Sequence, residues 1–470
     1  MSARLSRGPE HPAAPVRLVH VGLGNFFRAH QAWYTHHSPD SADWGYAAFT
    51  GRSPAAAEAL APQGGRYTLV TRGPDGDELE VIDSVVAVHA ADDHDAWLGY
   101  LRDPDVAVVT LTVTEAGYLR GPDGGLDLAH EGVAADVEAL RADPTASVGT
   151  APGRLAAGLI ARRAAGAGPI TLLSCDNLPG NGEVLRRVVT DLLAALGADP
   201  SVAEGVDFAA SMVDRITPAA TDDDAALVER ELGVVDASPV TTEPFSEWVV
   251  AGTFPAGRPR WEDAGATIVD DVEPYERRKL LLLNGAHSLM AYAGPVLGHE
   301  TVDQAFGDPQ VRAWVEELWD DASETLDLPS DELDAYRAAL RDRFANPRMR
   351  DSLARIAMDG SQKLPVRHVP VLRSAREVGR LPGGAVLAVA AWITHLRGCG
   401  VPVNDVHGDR WRELAAGPAG EAVAHVLGEL VPDLAGDDEL QAAVARELEA
   451  LEAPGGPGDT SAGRGTTPWE

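Results

Sequence analysis

Two kinds of hydrophobic pattern divide the chain. Up to about Val272, short apolar runs rich in β-branched residues end at turn residues, and alanine-rich stretches with helical spacing separate them. The runs RLVHVGL, YAAFTG, AVVTLTVTEAGY and PITLLSCDNLP are typical of buried strands. Strands that alternate with helices predict an α/β fold with a mostly parallel, doubly wound sheet. Residues 66–88 predict a β-hairpin, an insertion relative to a minimal nucleotide-binding unit.

The pattern changes from Pro274 onward, where strand-like runs nearly vanish. Apolar residues there recur with helical spacing in YERRKLLLLNGAHSLMAYAG, DPQVRAWVEELWDDASETL, DELDAYRAALRDRFA and GGAVLAVAAWITHLRGC. We therefore predict an α/β domain over residues 15–273 and a mainly α-helical domain over residues 274–453. The stretch 1–14 and the Pro- and Gly-rich stretch 454–470 are predicted to be a disordered leader and a disordered tail.

Composition narrows the class of partner. The net charge of −33 argues against a nucleic-acid partner or an anionic membrane surface, since both demand clustered Lys and Arg. The two cysteines, Cys175 and Cys399, cannot build a disulfide framework or a four-thiolate zinc site. The first residues lack the apolar core of a signal peptide, and no run reaches about 18 uninterrupted apolar residues. We therefore expect a soluble cytoplasmic protein with a small-molecule ligand.

The stretch VRLVHVGLGNFFRAHQAWY, residues 16–34, opens like a dinucleotide-binding fingerprint. Glycines in a strand–turn–helix unit let the backbone approach a pyrophosphate, which then lies at the start of the helix. Here Phe27 stands where a third glycine is usual, so a strand–turn–helix without a nucleotide is the alternative. Under the nucleotide interpretation Arg28 would add a cation beside the phosphates. The candidate cofactor-binding residues in this stretch are Gly22, Gly24, Asn25, Phe26 and Arg28.

The end of the second predicted strand bears on the choice of cofactor. NAD-binding units usually carry a carboxylate there for the ribose hydroxyls. This strand ends instead in Thr50-Gly51-Arg52-Ser53, without a carboxylate. An arginine suits a 2′-phosphate, so Arg52 is a candidate cofactor-binding residue and NADP is possible beside NAD. A solvent-facing loop arginine is the alternative.

The segment DVEPYERRKLLLLNGAHSLMAYAG, residues 271–294, places polar side chains in an apolar helix. At ~100° per residue, Lys279, Asn284 and His287 project within an arc of about 140° and can face one cleft. A desolvated lysine has a lowered pKa, which suits a general base. The asparagine amide can stabilise an alkoxide, and the histidine can bind a substrate hydroxyl. A lysine that snorkels from a core helix is the alternative.

Further polar groups follow predicted strands or lie in the helical domain. They occur in SCDNLPGNG, SMVDRITP and RIAMDGSQKLPVRH. Each by itself suits loop and capping chemistry. Together they supply the fixed donors and acceptors that a polyhydroxylated substrate requires. The side chains concerned are Asp176, Asn177, Asp214, Arg215, Arg355 and Lys363.

With these residues assembled, the chain resembles the mannitol dehydrogenase family, the polyol-specific long-chain dehydrogenases. Matching segments occur in the family's order from about residue 17 to residue 370: VHVGLGNFFRAHQAWY, TLTVTEAGY, LLSCDNLPGNG, SMVDRITP, EPFSEWVV, GRPRWEDAGA, VEPYERRKLLLLNGAHS and RIAMDGSQKLPVR. The resemblance implies a Rossmann-like NAD(P)-binding domain and a helical substrate domain. It also implies a metal-free, nicotinamide-dependent oxidation of a secondary alcohol to a ketose, and the reverse reduction.

The resemblance assigns roles to the polar residues. Lys279 resembles the catalytic base, Asn177 and Asn284 would hold the reacting oxygen, and His287 would bind substrate. Glu276, one turn before Lys279, is hypothesised to pass the released proton to solvent. The positions that would line the polyol pocket are Asp214, Arg355 and Lys363.

Four further questions stay open at this point: the cofactor, the substrate, whether the protein is catalytic, and the oligomeric state. Family preference favours NAD, whereas Arg52 keeps NADP possible. The main rival substrates within the family are hexuronates, as in fructuronate reductase, and Arg355, Lys363 or Arg367 could bind their carboxylate. A non-catalytic sugar- or nucleotide-binding regulator is a different class, but such a protein is expected to lack one of the lysine, asparagine or histidine positions. Monomer and homodimer are both compatible with the sequence.

Overall fold

The computed structural model describes residues 2–453, which fall into two compact units that meet in sequence between Glu273 and Pro274. The predicted tail, residues 454–470, lies outside the described residues. None of the helices in residues 2–453 combines the length and the apolar character that crossing a bilayer requires.

The N-terminal unit contains every strand of the described chain. The strands are β1 (Ala3–Arg4), β2 (Val16–Val21), β3 (Gly45–Phe49), β4 (Tyr67–Arg72), β5 (Asp77–Ile82), β6 (Val85–His89), β7 (Val108–Leu111), β8 (Ile170–Ser174), β9 (Val206–Asp214), β10 (Val234–Val235), β11 (Val240–Thr242), β12 (Glu247–Ala251) and β13 (Thr267–Ile268). Its helices are α1 (Asn25–Ala29), α2 (Gln31–His37), α3 (Ala55–Leu60), α4 (His94–Arg102), α5 (Glu131–Ala142), α6 (Ala151–Ala165), α7 (Asn181–Leu196) and α8 (Asp222–Leu232).

Eight of these strands form the main sheet, in the order β13-β12-β9-β8-β7-β2-β3-β6. The strands from β9 to β6 are parallel, and β12 joins them antiparallel to β9. The order places β2 beside β7, so the chain winds outward from β2 to one edge and from β7 to the other. This is the strand order of two mononucleotide-binding halves joined at a switch point. The predicted doubly wound α/β fold is confirmed.

Both faces of the main sheet are covered, as a parallel sheet requires. On one face Val19 and Val21 pack with Trp97 of α4 and other residues of the adjoining helices. On the other face Leu18 packs with Phe27 of α1. The β-branched runs of the sequence therefore alternate between two hydrophobic cores.

A smaller sheet of three strands has the order β11-β4-β5. Strands β4 and β5 form the predicted hairpin, paired antiparallel from Tyr67–Ile82 to Arg72–Asp77. The Tyr67 hydroxyl donates to the backbone oxygen of Arg28 in α1 at 2.6 Å. The hairpin thus contacts the helix that follows the glycine turn.

The predicted disordered leader, residues 1–14, is wrong for residues 3–7. Strand β1 pairs parallel with β10, and Leu5 is buried. The Arg7 guanidinium donates to the backbone oxygens of Gly64, Asp83 and Val85. Backbone and side-chain hydrogen bonds to residues far along the chain order this segment, although its own composition is polar.

The C-terminal unit is helical, and its described residues contain no named strand, as predicted. Its helices are α9 (Glu273–Arg278), α10 (Gly285–Val296), α11 (Val302–Gly307), α12 (Pro309–Ser323), α13 (Ser330–Phe344), α14 (Leu353–Ile356), α15 (Gly360–Arg367), α16 (Val369–Glu377), α17 (Gly383–Leu396), α18 (Gly408–Leu414), α19 (Ala419–Leu430) and α20 (Asp438–Glu452). Helix α17 is buried over nearly its whole length and contacts α10, α12 and α20. A helix that is apolar on all sides is expected at such a central position.

Candidate functional site

A cavity of about 360 Å³ lies at the carboxyl ends of the central strands of the N-terminal unit. Residues 112–115 after β7 and residues 175–178 after β8 line two of its sides. The third side, after β2, consists of Gly22, Gly24, Asn25 and Phe26. Since β2 and β7 meet at the switch point of the sheet, this is the crevice where open α/β folds bind their ligands.

The two glycines of the turn differ in what surrounds them. Gly22 has φ +109°, and an ideal Cβ there would lie 2.1 Å from the backbone oxygen of Thr112. Glycine is therefore required for the ends of β2 and β7 to approach. Gly24 has φ −133°, and the nearest atom to an ideal Cβ is the oxygen of Gly22 at 3.5 Å. The open space at Gly24, directly before α1, fits a phosphate group that approaches the backbone.

A buried histidine holds this turn from behind. Thr112 Oγ1 donates to the backbone oxygen of Gly22 at 3.0 Å and lies 3.0 Å from His20 Nε2. Because the Thr112 proton is used, His20 Nε2 must be the donor, and Nδ1 accepts from Thr110 Oγ1 at 2.8 Å. Burial lowers the pKa of His20 to about 3, so the imidazole is neutral at physiological pH. The sequence did not indicate a role for His20, because this residue lies among core residues inside an apolar strand.

The two arginines proposed for the cofactor are placed differently. Arg28 is 3% exposed, outside the cavity lining, and donates to Ser238 O at 2.5 Å and to Asn25 Oδ1 at 2.7 Å. Burial lowers its pKa to about 10. Arg28 thus stabilises the turn and orients Asn25. The sequence had instead suggested that Arg28 would be a cation beside the phosphates. Arg52 is exposed after β3, and its side chain makes no hydrogen bond or ion pair with residues 2–453.

The loop after β8 presents Asn177 to the same cavity. Asn177 is exposed, whereas Asp176 is buried. The Asn181 amide fixes the loop by donating to Asp176 O at 2.9 Å and to Ser211 O at 2.7 Å. Asp214, the last residue of β9, is buried at the carboxyl end of the strand next to β8.

In the C-terminal unit, Lys279 and Asn284 begin and end a π-helical segment between α9 and α10. Hydrogen bonds from residue i+5 to residue i widen the turn, so residues five apart lie nearer to one face than in an α-helix. Within residues 279–290 the partly exposed residues are Lys279, Leu280, Asn284 and His287, and the others are buried. The three predicted polar residues therefore share the accessible side of this helix.

An aromatic cluster supports the π-helical segment. The indole Nε1 of Trp319, a fully buried residue of α12, donates to the backbone oxygen of Leu282 at 2.9 Å. The Trp319 ring stacks on Phe344 with 6.1 Å between centroids. Phe344 in turn contacts the His287 ring at 5.0 Å. One cluster thus contacts both the segment that carries Lys279 and the side chain of His287.

Arg367 reinforces the same helix from α15. Its guanidinium donates to the backbone oxygen of Asn284 at 3.2 Å and to Ser288 Oγ at 2.9 Å. Burial lowers its pKa to about 10, which leaves it charged at neutral pH. Its hydrogen bonds assign Arg367 to positioning Asn284.

The two remaining cations that the sequence predicted for the substrate, Lys363 and Arg355, lie in or near α14. Lys363 Nζ donates to the backbone oxygens of Ile356 and Met358, and burial together with Arg367 lowers its pKa. The Arg355 side chain is 70% exposed and pairs with Asp351. Among residues 2–453, no group of three or more His, Cys, Asp and Glu side chains is arranged to hold a metal ion.

Comparisons with known proteins agree with this architecture. The family described as "Mannitol dehydrogenase Rossmann domain" matches residues 16–263, and "Mannitol dehydrogenase C-terminal domain" matches residues 271–452. Mannitol 2-dehydrogenase of Cereibacter sphaeroides is 36% identical over 92% of this chain and 93% of its own. D-mannonate oxidoreductase of Escherichia coli (strain K12) is 38% identical over 83% of this chain and 82% of its own. The ternary complex of Pseudomonas fluorescens mannitol 2-dehydrogenase with NAD and D-mannitol has a TM-score of 0.75, with 32% identity over 97% of this chain and 95% of that chain.

Proposed function

Because this chain belongs to the mannitol dehydrogenase family of oxidoreductases, we propose that it interconverts a sugar alcohol and a ketose of the mannitol and fructose type with NAD. One observation carries this proposal. Lys279, Asn284 and His287 lie on the accessible side of an otherwise buried helix, and that helix has a π-helical segment held by Trp319 and Arg367. Such irregular turns are frequent at functional sites because they re-aim side chains.

The cavity of the N-terminal unit is the proposed NAD site. Gly22 and Gly24 would admit the pyrophosphate to the backbone before α1, with Asn25 and Phe26 beside it. Arg28 would act indirectly, by holding Asn25. When bound, NAD supplies the acceptor for the hydride that leaves the substrate carbon.

The chain's own residues handle the proton and the charge on oxygen. Neutral Lys279 removes the proton of the substrate hydroxyl, and the amides of Asn177 and Asn284 donate to the alkoxide that forms. His287 binds a neighbouring hydroxyl. Glu276, in the turn before Lys279, passes the proton to solvent. The side chains proposed to contact the remaining hydroxyls are Asp214, Arg355 and Lys363.

Replacement of the lysine tests the proposal. Lys279→Ala is expected to lower kcat by roughly 10²- to 10⁴-fold, because general-base catalysis contributes that much. Affinity for NADH, measured by fluorescence titration, should hardly change. Lys279→Arg should not restore turnover, since an arginine stays protonated. The control is Arg277→Ala, which removes an exposed cation of α9 that donates to Thr325 O. A near-normal kcat for Lys279→Ala would refute the assignment.

A second candidate is the oxidation of D-mannonate and the reduction of fructuronate. Two observations favour it: the D-mannonate oxidoreductase relative, and the exposed guanidinium of Arg355, which suits a substrate carboxylate. Initial rates with mannitol and with mannonate, each measured with NAD and with NADP, separate the two candidates. Arg355→Ala should raise KM for mannonate much more than KM for mannitol if the second candidate is correct.

A further inference from the structure

A buried carboxyl borders the proposed NAD cavity and has no part in the proton chemistry above. Asp176 is 8% exposed and lines the cavity beside Asn177. Its Oδ2 accepts from the Tyr118 hydroxyl at 2.5 Å and from Ser174 Oγ at 3.2 Å, and the backbone N–H of Val113 also donates to the carboxylate. No Lys, Arg or His among residues 2–453 forms an ion pair with it. The carboxylate is thus solvated by neutral donors and lacks a cation.

None of the other titratable groups that line the cavity near Asp176 supplies a positive charge. Burial raises the pKa of both Tyr118 and Cys175, so each stays neutral at physiological pH. Glu115 also lines the cavity, but its side chain is 67% exposed and pairs with Arg120 at 2.8 Å. The third lining segment, at the glycine turn, contributes no titratable side chain. Asp176 is therefore the buried ionisable carboxyl of this cavity.

Its surroundings keep both protonation states accessible. Burial raises the pKa of Asp176 to about 7, while the hydrogen bonds from Tyr118, Ser174 and Val113 oppose that rise. A positive charge brought into the cavity would favour the ionised form, because such charges interact strongly away from water.

We propose that the Asp176 carboxylate is the counter-charge for the oxidised nicotinamide ring and so favours NAD⁺ over NADH in this cavity. The inference rests on the proposed function, which places NAD there. A dinucleotide with its pyrophosphate at the β2 turn lays its second nucleoside over the half of the sheet that begins with β7 and β8. Asp176 lies at that edge. The oxidised ring carries a positive charge and the reduced ring is neutral, whereas adenine and phosphates are common to both forms.

The sign of the pH effect follows from linkage. Binding of NAD⁺ lowers the pKa of Asp176 and releases a proton wherever the free protein holds it protonated. Affinity for NAD⁺ therefore falls as the pH drops below about 7, and affinity for NADH does not. From about pH 8 to about pH 6, Kd for NAD⁺ should rise by about tenfold. Dividing Kd for NAD⁺ by Kd for NADH at each pH cancels the contributions of adenine and phosphates, so that this ratio reports only the charge of the nicotinamide ring.

Calorimetric titrations of the full chain with NAD⁺ and NADH over this pH range test the inference. Asp176→Asn should abolish the pH dependence for NAD⁺ and leave Kd for NADH nearly unchanged. Tyr118→Phe removes a donor to the carboxylate, so the midpoint of the NAD⁺ curve should move to higher pH. The control is Tyr100→Phe, which removes a hydroxyl bonded to His89 away from the cavity lining and should leave the midpoint in place.

Several results would overturn it. Parallel pH curves for NAD⁺ and NADH in the wild type exclude a role of the ring's charge. A pH dependence that persists in Asp176→Asn assigns it to another group. If Asp176→Asn does not fold, an unchanged midpoint in Tyr118→Phe decides against the inference. Failure of the wild type to bind either cofactor would instead refute the proposed function.

Discussion

Alanine at each of the two turn glycines should damage the protein in different ways. Gly22→Ala would place a methyl group 2.1 Å from Thr112 O on a backbone with φ +109°. The left-handed conformation costs about 1–3 kcal/mol for alanine, and the overpacking costs a further 1–3 kcal/mol or so. The two costs together lower the free energy of unfolding by about 2–6 kcal/mol, which corresponds to a Tm lower by roughly 4–12 °C at about 2 °C per kcal/mol for a unit of this size.

Gly24→Ala should leave the fold intact. The new methyl group meets only Gly22 O at 3.5 Å, on a backbone with φ −133° and ψ −175° that alanine adopts freely. The lower entropy of the unfolded alanine chain offsets its poorer N-cap, so stability should change by at most about 0.5 kcal/mol. The methyl group occupies the space proposed for the pyrophosphate, so Kd for NADH should rise by about 10- to 100-fold.

Scanning calorimetry and NADH fluorescence titration on the same samples separate the two effects. The control is Gly99→Ala at an exposed position of α4, where an added Cβ meets nothing within 4 Å. It should change neither the NADH affinity nor, beyond a slight gain, the Tm. Wild-type NADH affinity in Gly24→Ala would refute the placement of the pyrophosphate. An unchanged Tm in Gly22→Ala would refute the steric argument.

Three further predictions concern the helix, the cofactor and metals. Trp319→Phe keeps an aromatic ring but removes the hydrogen bond to Leu282, so kcat should fall by about 3- to 30-fold at constant NADH affinity. The control Trp392→Phe, at another buried tryptophan of the same unit, should leave kcat unchanged. Equal losses of kcat in both variants would argue against a role of the Trp319 hydrogen bond in positioning the π-helical segment. If Arg52 binds a 2′-phosphate, Arg52→Glu should weaken NADP binding by about tenfold or more with little effect on NAD, as measured by competition titration, and equal effects on both would contradict this. Dialysis against a chelator should leave initial rates unchanged, and recovery of a lost rate on adding a divalent cation would show that a metal takes part.

The sequence predicted the fold class because its strands are short β-branched runs buried on both faces. It did not predict that β12 would join the sheet antiparallel, since the apolar run EWVVA has no feature that fixes its direction. The error at the N-terminus has a similar origin. The pairing of β1 with β10 and the bonds of Arg7 are long-range, and a polar segment carries no periodic pattern that announces them.

The sequence predicted those parts of the candidate site in which spacing along one helix determines where a side chain lies. It did not predict the parts in which a residue far along the chain determines the local geometry. Lys279, Asn284 and His287 share a face because of their separation along one helix. The π-helical segment depends on neighbours such as Trp319, which the local sequence does not specify. Likewise, nothing near Arg28 indicates that its guanidinium would bond Ser238, a residue 210 positions further on.

The hairpin of β4 and β5 therefore cannot be treated as a detachable module. Through the Tyr67 hydroxyl it holds the backbone of Arg28, and Arg28 holds Asn25 at the cavity. Shortening the protein to a minimal nucleotide-binding core would remove the first link of this chain. Substitutions in the small sheet, natural or engineered, should accordingly change the affinity for the cofactor, even though none of the strands of that sheet lines the cavity.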